Sequence, residues 1–125
     1  LPRVRPFAAH TLCPPMQRVS QNGCLQCFPA IDECAGLTLA ETEDMVAPLD
    51  RELSALAKDQ TPAMILGCDC VLRRVEATQK QITGDISRVL AKHNVVGFST
   101  YGEQVNSMHV NQTFTGVAIY PPEAD

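Results

Sequence analysis

Residues 63–100 read AMILGCDCVLRRVEATQKQITGDISRVLAKHNVVGFST. The run from Ala63 to Cys68 is apolar, short and preceded by Thr61-Pro62, the pattern of a buried strand. From Leu72 to His93 apolar residues recur at helical spacing: Leu72, Val75, Ile82, Ile86 and Val89, with Gln79 a polar gap in the stripe. Asp69 stands where it would cap the helix start, and Lys92, His93 and Asn94 suit its end. Val95 to Thr100 then reads as a second strand. A strand, a helix and a strand of these lengths form a βαβ unit. Its strands, near Met64 and Val96, should run parallel, with a right-handed crossover.

Working outward, residues 38–58 contain a second helix. Met45, Leu49, Leu53 and Leu56 make one apolar stripe, and Thr38 and Glu41 have capping-box spacing. Pro48 either kinks this helix or marks a start just before it. Asn22-Gly23 signals a turn, followed by a strand over Cys24 to Ile31 that Pro29 confines to an edge or an end. Thr113 to Tyr120 is the last strand. Pro2, Pro6, Pro14 and Pro15 argue against a helix in the first 22 residues, where Val4 to Ala9 is compatible with an edge strand. The fold class is therefore α/β: a mixed β-sheet with at least one right-handed βαβ unit and two main helices packed on the sheet. Residues 1–22 are expected to be a linker or edge segment from an upstream domain, 23–122 the domain itself, and 123–125 a tail. The first residue is Leu1, which suits a piece of a longer protein.

At 125 residues with 45% hydrophobic content, the chain is the size of one domain and can build a packed core. A net charge of -4 gives no basic face for nucleic acid. No apolar run approaches the ~20 residues that span a bilayer. Neither is there a secretory signal pattern, since Pro2, Arg3, Arg5 and Pro6 interrupt the opening. Six cysteines (Cys13, Cys24, Cys27, Cys34, Cys68 and Cys70) without a signal, several of them inside apolar runs, read as reduced thiols in a cytoplasmic protein.

In open α/β sheets ligands bind beyond the carboxyl ends of the parallel strands. Two segments should converge there: Gly67 to Cys70, and Tyr101 to Gln104 leading into His109, Asn111 and Gln112. The connection from Tyr101 to Gln112 is longer than an ordinary hairpin loop, so a solvated hairpin and a functional loop both stay open. No nucleophile elbow, phosphate loop or His-Glu-x-x-His helix is present in the sequence, which argues against an enzyme.

The stretch Gly97 to Gln104 (GFSTYGEQ), followed by Met108 to Ala118 (MHVNQTFTGVA), resembles the closing signature of FIST C-terminal domains. The fuller His109 to Ala118 form is similar to the NosP branch of bacterial nitric-oxide-sensing haem proteins. So are Ile65 to Arg74, Ala30 to Glu33 and Leu37 to Leu39. The resemblance covers roughly residues 23–121. It implies a sensory domain that binds haem b, responds to nitric oxide or another small ligand, and regulates a histidine kinase or a cyclic-di-GMP enzyme. A homo-oligomer is left open. The other reading is a FIST-type sensor of a small metabolite such as an amino acid, without haem.

Under the resemblance His109 is the candidate axial ligand, since imidazole is a common proximal ligand in gas-binding haem proteins. On the residues alone, a loop or solvated histidine is the simpler reading. Cys68 and Cys70 flank a helix start, a position that can favour thiolate and iron ligation. They also suit a buried strand end. Arg73 and Arg74 are candidates for a haem propionate or a ligand carboxylate. Tyr101 and Glu103 stand close to the same site, and Asn111 and Gln112 suit loop positions. Gly67, Gly97, Gly102 and Gly116 mark close approaches or unusual backbone angles. His93 reads as structural, at a helix end. Cys24 and Cys27 point to opposite faces of a strand, against a metal half-site.

Overall fold

Met64–Cys70 and Val95–Thr100 are strands, and they pair in parallel with Leu66 opposite Val96 and Gly67 opposite Gly97. The computed structural model describes residues 2–9, 15–28, 30–31, 33–34, 36–37, 44–105 and 108–122, with the side chains of Ala9, Val105, Met108 and His109 excepted. In chain order the elements are β1 (Arg3–Ala9), β2 (Met16–Val19), β3 (Leu25–Cys27), α1 (Val46–Leu56), β4 (Met64–Cys70), α2 (Val71–Gln79), α3 (Thr83–Lys92), β5 (Val95–Thr100), β6 (Glu103–Val105), β7 (Met108–Val110) and β8 (Phe114–Tyr120). Four strands form the main sheet in the order β1-β8-β4-β5, and β2-β3 and β6-β7 are separate two-stranded ribbons. The sheet is mixed: β8 runs antiparallel to both β1 and β4.

The expected helix over 72–93 is two helices. Lys80 closes α2, and Gln81 then turns left-handed with φ 57°. The Gln81 N–H donates to the Thr78 carbonyl and the Ile82 N–H to the Ala77 carbonyl, at 3.1 and 3.0 Å. This pair of bonds is a Schellman motif, which satisfies carbonyls left open at a helix end. The apolar stripe persists across the break because Ile82, Ile86 and Val89 still turn toward the core, which is why its spacing hides the interruption. Val75, in contrast, is exposed.

Helix α1 starts at Val46, later than the 38–58 window suggests. Pro48 is the third helical residue, where the missing N–H has no intrahelical partner to lose. The Asp44 carboxylate accepts the Ala47 N–H at 3.1 Å and so caps the start. That bond, with a second from Val46, holds the Asp44 carboxyl below its ordinary pKa. The Thr38 and Glu41 pair lies outside the described residues. At the far end, α3 finishes with Asn94 at φ 53°, the left-handed exit its sequence suggests.

All three helices share one core. Met45, Leu49, Leu53 and Leu56 meet Ile65, Ala77, Ile86, Val89, Phe114, Ala118 and Tyr120. The period-2 alternation of strands places Ile65 and Gly67 of β4 on the same side as Phe114, Gly116 and Ala118 of β8. Phe7, Gly116, Gly67 and Gly97 form one row across the four strands. A Cβ on Gly67 would stand 2.6 Å from Cζ of Phe114, and one on Gly116 would overlap the Leu66 carbonyl. The missing side chains make room for the Phe114 ring, which packs against Phe7 at 5.9 Å between centroids. Tyr120 closes the other end: its hydroxyl donates to the Leu56 carbonyl at 2.8 Å.

The Asn22-Gly23 turn, where Gly23 takes φ 82°, joins the two strands of the β2-β3 ribbon. The strand β3 is shorter than residues 24–31, and Met16, Val19, Leu25, Phe28, Ile31 and Leu37 are all exposed.

Candidate functional site

Three segments meet at the carboxyl ends of β4 and β5: the junction of β4 with α2, the turn from β5 into β6, and residues 111–113 leading into β8. The first and third are tied by the Cys70 N–H, which donates to the Thr113 carbonyl at 3.1 Å. Glu103 sits at the centre of the second. It is 5% exposed, and it accepts hydrogen bonds from the Thr100 hydroxyl and, at 2.5 Å, from the Thr113 hydroxyl. A buried carboxylate needs such donors, because removing it from water unpaired is costly.

Asp69 and Arg73 form the second part of the site. Arg73 Nε donates to Asp69 Oδ1 at 2.7 Å, one helical turn along, with side chains 23% and 12% exposed for the acid and the base. Asp69 therefore orients Arg73 rather than capping α2, which has no side-chain cap. Burial pushes the Asp69 carboxyl above its ordinary pKa; the adjacent guanidinium opposes this, and the charge of Glu103 adds to it. Arg73 Nη2 is buried and has no hydrogen-bond partner among the described residues. A guanidinium nitrogen in that state is an unused donor.

Glu76, one turn further along α2, joins the helix to the loop: Gln112 Nε2 donates to its Oε2 at 2.7 Å, and Lys80 to its Oε1 at 2.6 Å. Burial would raise the Glu76 carboxyl, but these two hydrogen bonds and the charges of Lys80 and Arg73 outweigh it and hold the pKa down. Gln112 is itself left-handed, with φ 56°, so its backbone turns the chain into β8 while its side chain holds α2.

A helix start would favour thiolate at Cys68, yet burial and then the charge of Glu103 push its pKa up. Cys70 is fully buried at the strand end. Cys24, Cys27, Cys34, Cys68 and Cys70 are free thiols. Among the described residues no three His, Cys, Asp or Glu side chains gather into a metal-binding group. Tyr101 is 92% exposed at the tip of the turn, and Arg74 is exposed on α2. Asn111 is half-buried beside Gln112. His109 lies opposite Gln104 in the β6-β7 ribbon, and its side chain lies outside the described residues, as does His10. His93 is structural: its Nε2 meets Asp50 at 2.7 Å, and Lys92 reaches the same carboxylate, fastening α3 to α1.

Thr100, Thr113 and Glu76 complete the site and carry little signal in the sequence. The register could have found Thr113, a polar residue at the head of an apolar strand whose buried hydroxyl needs an acceptor.

No helix among the described residues is long and apolar enough to cross a membrane. No curated protein and no solved structure is significantly similar to the chain. The model of the FIST C domain, however, matches residues 7–106. That span begins within β1 and runs through β4, α2, β5 and Glu103; residues 111–113 and β8 lie beyond it. The chain therefore belongs to the FIST C domain family, a family of sensory domains consistent with ligand binding in signal transduction.

Proposed function

We propose that this domain senses a small amino-acid-like metabolite at the carboxyl ends of β4 and β5, in a signalling protein that regulates a histidine kinase or a cyclic-di-GMP enzyme. The observation that carries the reading is Arg73 Nη2, a buried donor without an acceptor among the described residues, next to an orienting carboxylate. A ligand carboxylate would complete it, since guanidinium and carboxylate match in geometry and charge. Asp69 and Glu103 supply negative charge on the same site for a ligand ammonium group. Binding there would engage α2 directly through Arg73 and, through Glu76 and Gln112, the loop into β8. A ligand that favours one arrangement of these parts shifts a two-state equilibrium that a partner can feel.

Haem b with nitric oxide as its ligand is the second reading. It is favoured by the position of His109, opposite Gln104, in the ribbon that begins at Glu103. The donor set fits in part: Arg73 Nη2 suits a propionate as well as it suits an amino acid. His109 would be the axial ligand, and the high Cys68 pKa disfavours thiolate ligation. When bound, such a group would supply the iron that takes the gas.

Calorimetric titration with a panel of amino acids, and an absorbance titration with haem, separate the two. In either, Arg73→Lys should weaken binding by about 10-fold and Arg73→Ala by about 100-fold, the range expected for losing charge-assisted hydrogen bonds. Unchanged binding in Arg73→Ala sinks the site. A haem band that moves with nitric oxide and is lost in His109→Ala replaces the metabolite with haem.

A further inference from the structure

The sheet has two faces, and the described residues cover only one. Ile65, Phe114 and Ala118 join the helices in the core, and Gly67 and Gly116 lie on the same face. By strand alternation and register the opposite face carries Val4 and Pro6 of β1, Thr115, Val117 and Ile119 of β8, Met64, Leu66 and Cys68 of β4, and Val96 and Phe98 of β5. Not one of these is charged. Val4, Met64, Leu66, Val96 and Phe98 are between 38% and 59% exposed. A sheet with one solvated face alternates apolar and polar residues along its strands. In β4 and β8 both faces are apolar instead, the pattern of strands covered on both sides.

We infer that this open face packs against the same face of a second copy, as a two-fold sheet-on-sheet dimer. Its exposed apolar area is on the order of 600 Å², the upper end of what a lone domain leaves bare. Two such faces together bury about 1,200 Å², where specific interfaces begin. Both are flat, apolar and uncharged, so each has the partner surface the other needs, and a two-fold axis lets Leu66, Val117 and Phe98 interdigitate across about 10 Å. A charged partner surface would lose its hydration against this face and gain no counter-charge. The helix layer and the ligand site lie on the other face and at the strand ends, so the inference stands apart from the proposed ligand.

Sedimentation velocity of the chain from ~1 to ~200 µM tests it. The expected result is a species of twice 13.6 kDa. Leu66→Lys and Phe98→Lys should each shift dissociation at least ~100-fold, because each buries an unpaired ammonium group at the centre of the interface. Val75→Lys changes an exposed apolar residue on α2, away from this face, and should leave the dimer intact. Circular dichroism checks that each variant is folded. In the unsubstituted protein, isotope-filtered NOEs between methyl groups of Leu66, Val96 and Val117 on different copies give a direct reading that does not depend on any variant. A chain that stays monomeric throughout overturns the inference and leaves the face to another occupant. So does a dimer that survives both lysines and shows none of these NOEs, which would place the contact at the β5 edge or the exposed β2-β3 ribbon.

Discussion

Gln81→Gly should stabilise the protein. Gln81 holds φ 57° at the break between α2 and α3, where an L side chain is crowded against its own backbone by about 1–2 kcal/mol. Glycine removes that crowding but has more freedom to lose from the unfolded chain, about 0.5–1 kcal/mol. The difference favours glycine by about 0.5–1 kcal/mol, or roughly 2–4 °C in Tm for a domain of this size. The two Schellman bonds come from backbone groups and persist in the variant. Thermal unfolding followed by circular dichroism at 222 nm measures the shift, with Gln81→Ala as the control. Alanine keeps the Cβ and the crowding, so it should leave Tm near that of the unsubstituted protein. If alanine raises Tm and glycine lowers it by several degrees, residues 72–93 form a single helix and the break is refuted, since mid-helix glycine is about 1 kcal/mol worse than alanine.

Tyr120→Phe should destabilise by about 1–2 kcal/mol in denaturant titration, because the Leu56 carbonyl at the end of α1 loses its buried donor; no change would mean that another donor serves that carbonyl. Glu76 is a carboxyl with its folded pKa held below the ordinary 4.5. Its stabilising contribution is therefore complete above about pH 4.5 and is lost as pH falls through the lower folded value. Glu76→Gln should flatten that part of the acid limb in a plot of stability against pH, and an unaltered limb would remove Glu76 as its source. Gly67→Ala should cost about 1–3 kcal/mol by forcing the Phe114 ring aside, read as a lower urea midpoint.

The central βαβ unit was legible because its two strands are short apolar runs set against a helical stripe, and burial on both sides gives that signature directly. The parallel register of Ile65 with Val95 follows from it. The break at Gln81 was hidden for a physical reason. A Schellman turn is made by backbone bonds and one left-handed residue, and here that residue is not glycine. Gln79 interrupts the stripe two residues before the turn, too weak a mark to separate a gap from an end. The start of α1 just before Pro48 was one of two readings its sequence left open, because the acids further upstream look as well suited to a first turn as Asp44, which accepts the Ala47 N–H.

The site was legible as a place before it was legible as a set of contacts. Topology puts the ends of β4 and β5 side by side, and that alone brings Asp69, Arg73 and Glu103 to one pole. What no spacing rule supplies is which acid takes which donor. Asp69 is four residues before Arg73, so their pairing needed only the helix to begin at Val71. Glu103 instead finds Thr113, ten residues on, because the β6-β7 ribbon folds back and returns the chain to the sheet beside Cys70. The same return carries Gln112 to Glu76 across 36 residues of sequence. These two bonds tie a polar loop, readable either as solvent-facing or as functional, to α2 and to the buried Glu103 carboxylate. They also hold Glu103 where its charge adds to burial in raising the Cys68 pKa, from the far side of a connection that local sequence cannot see.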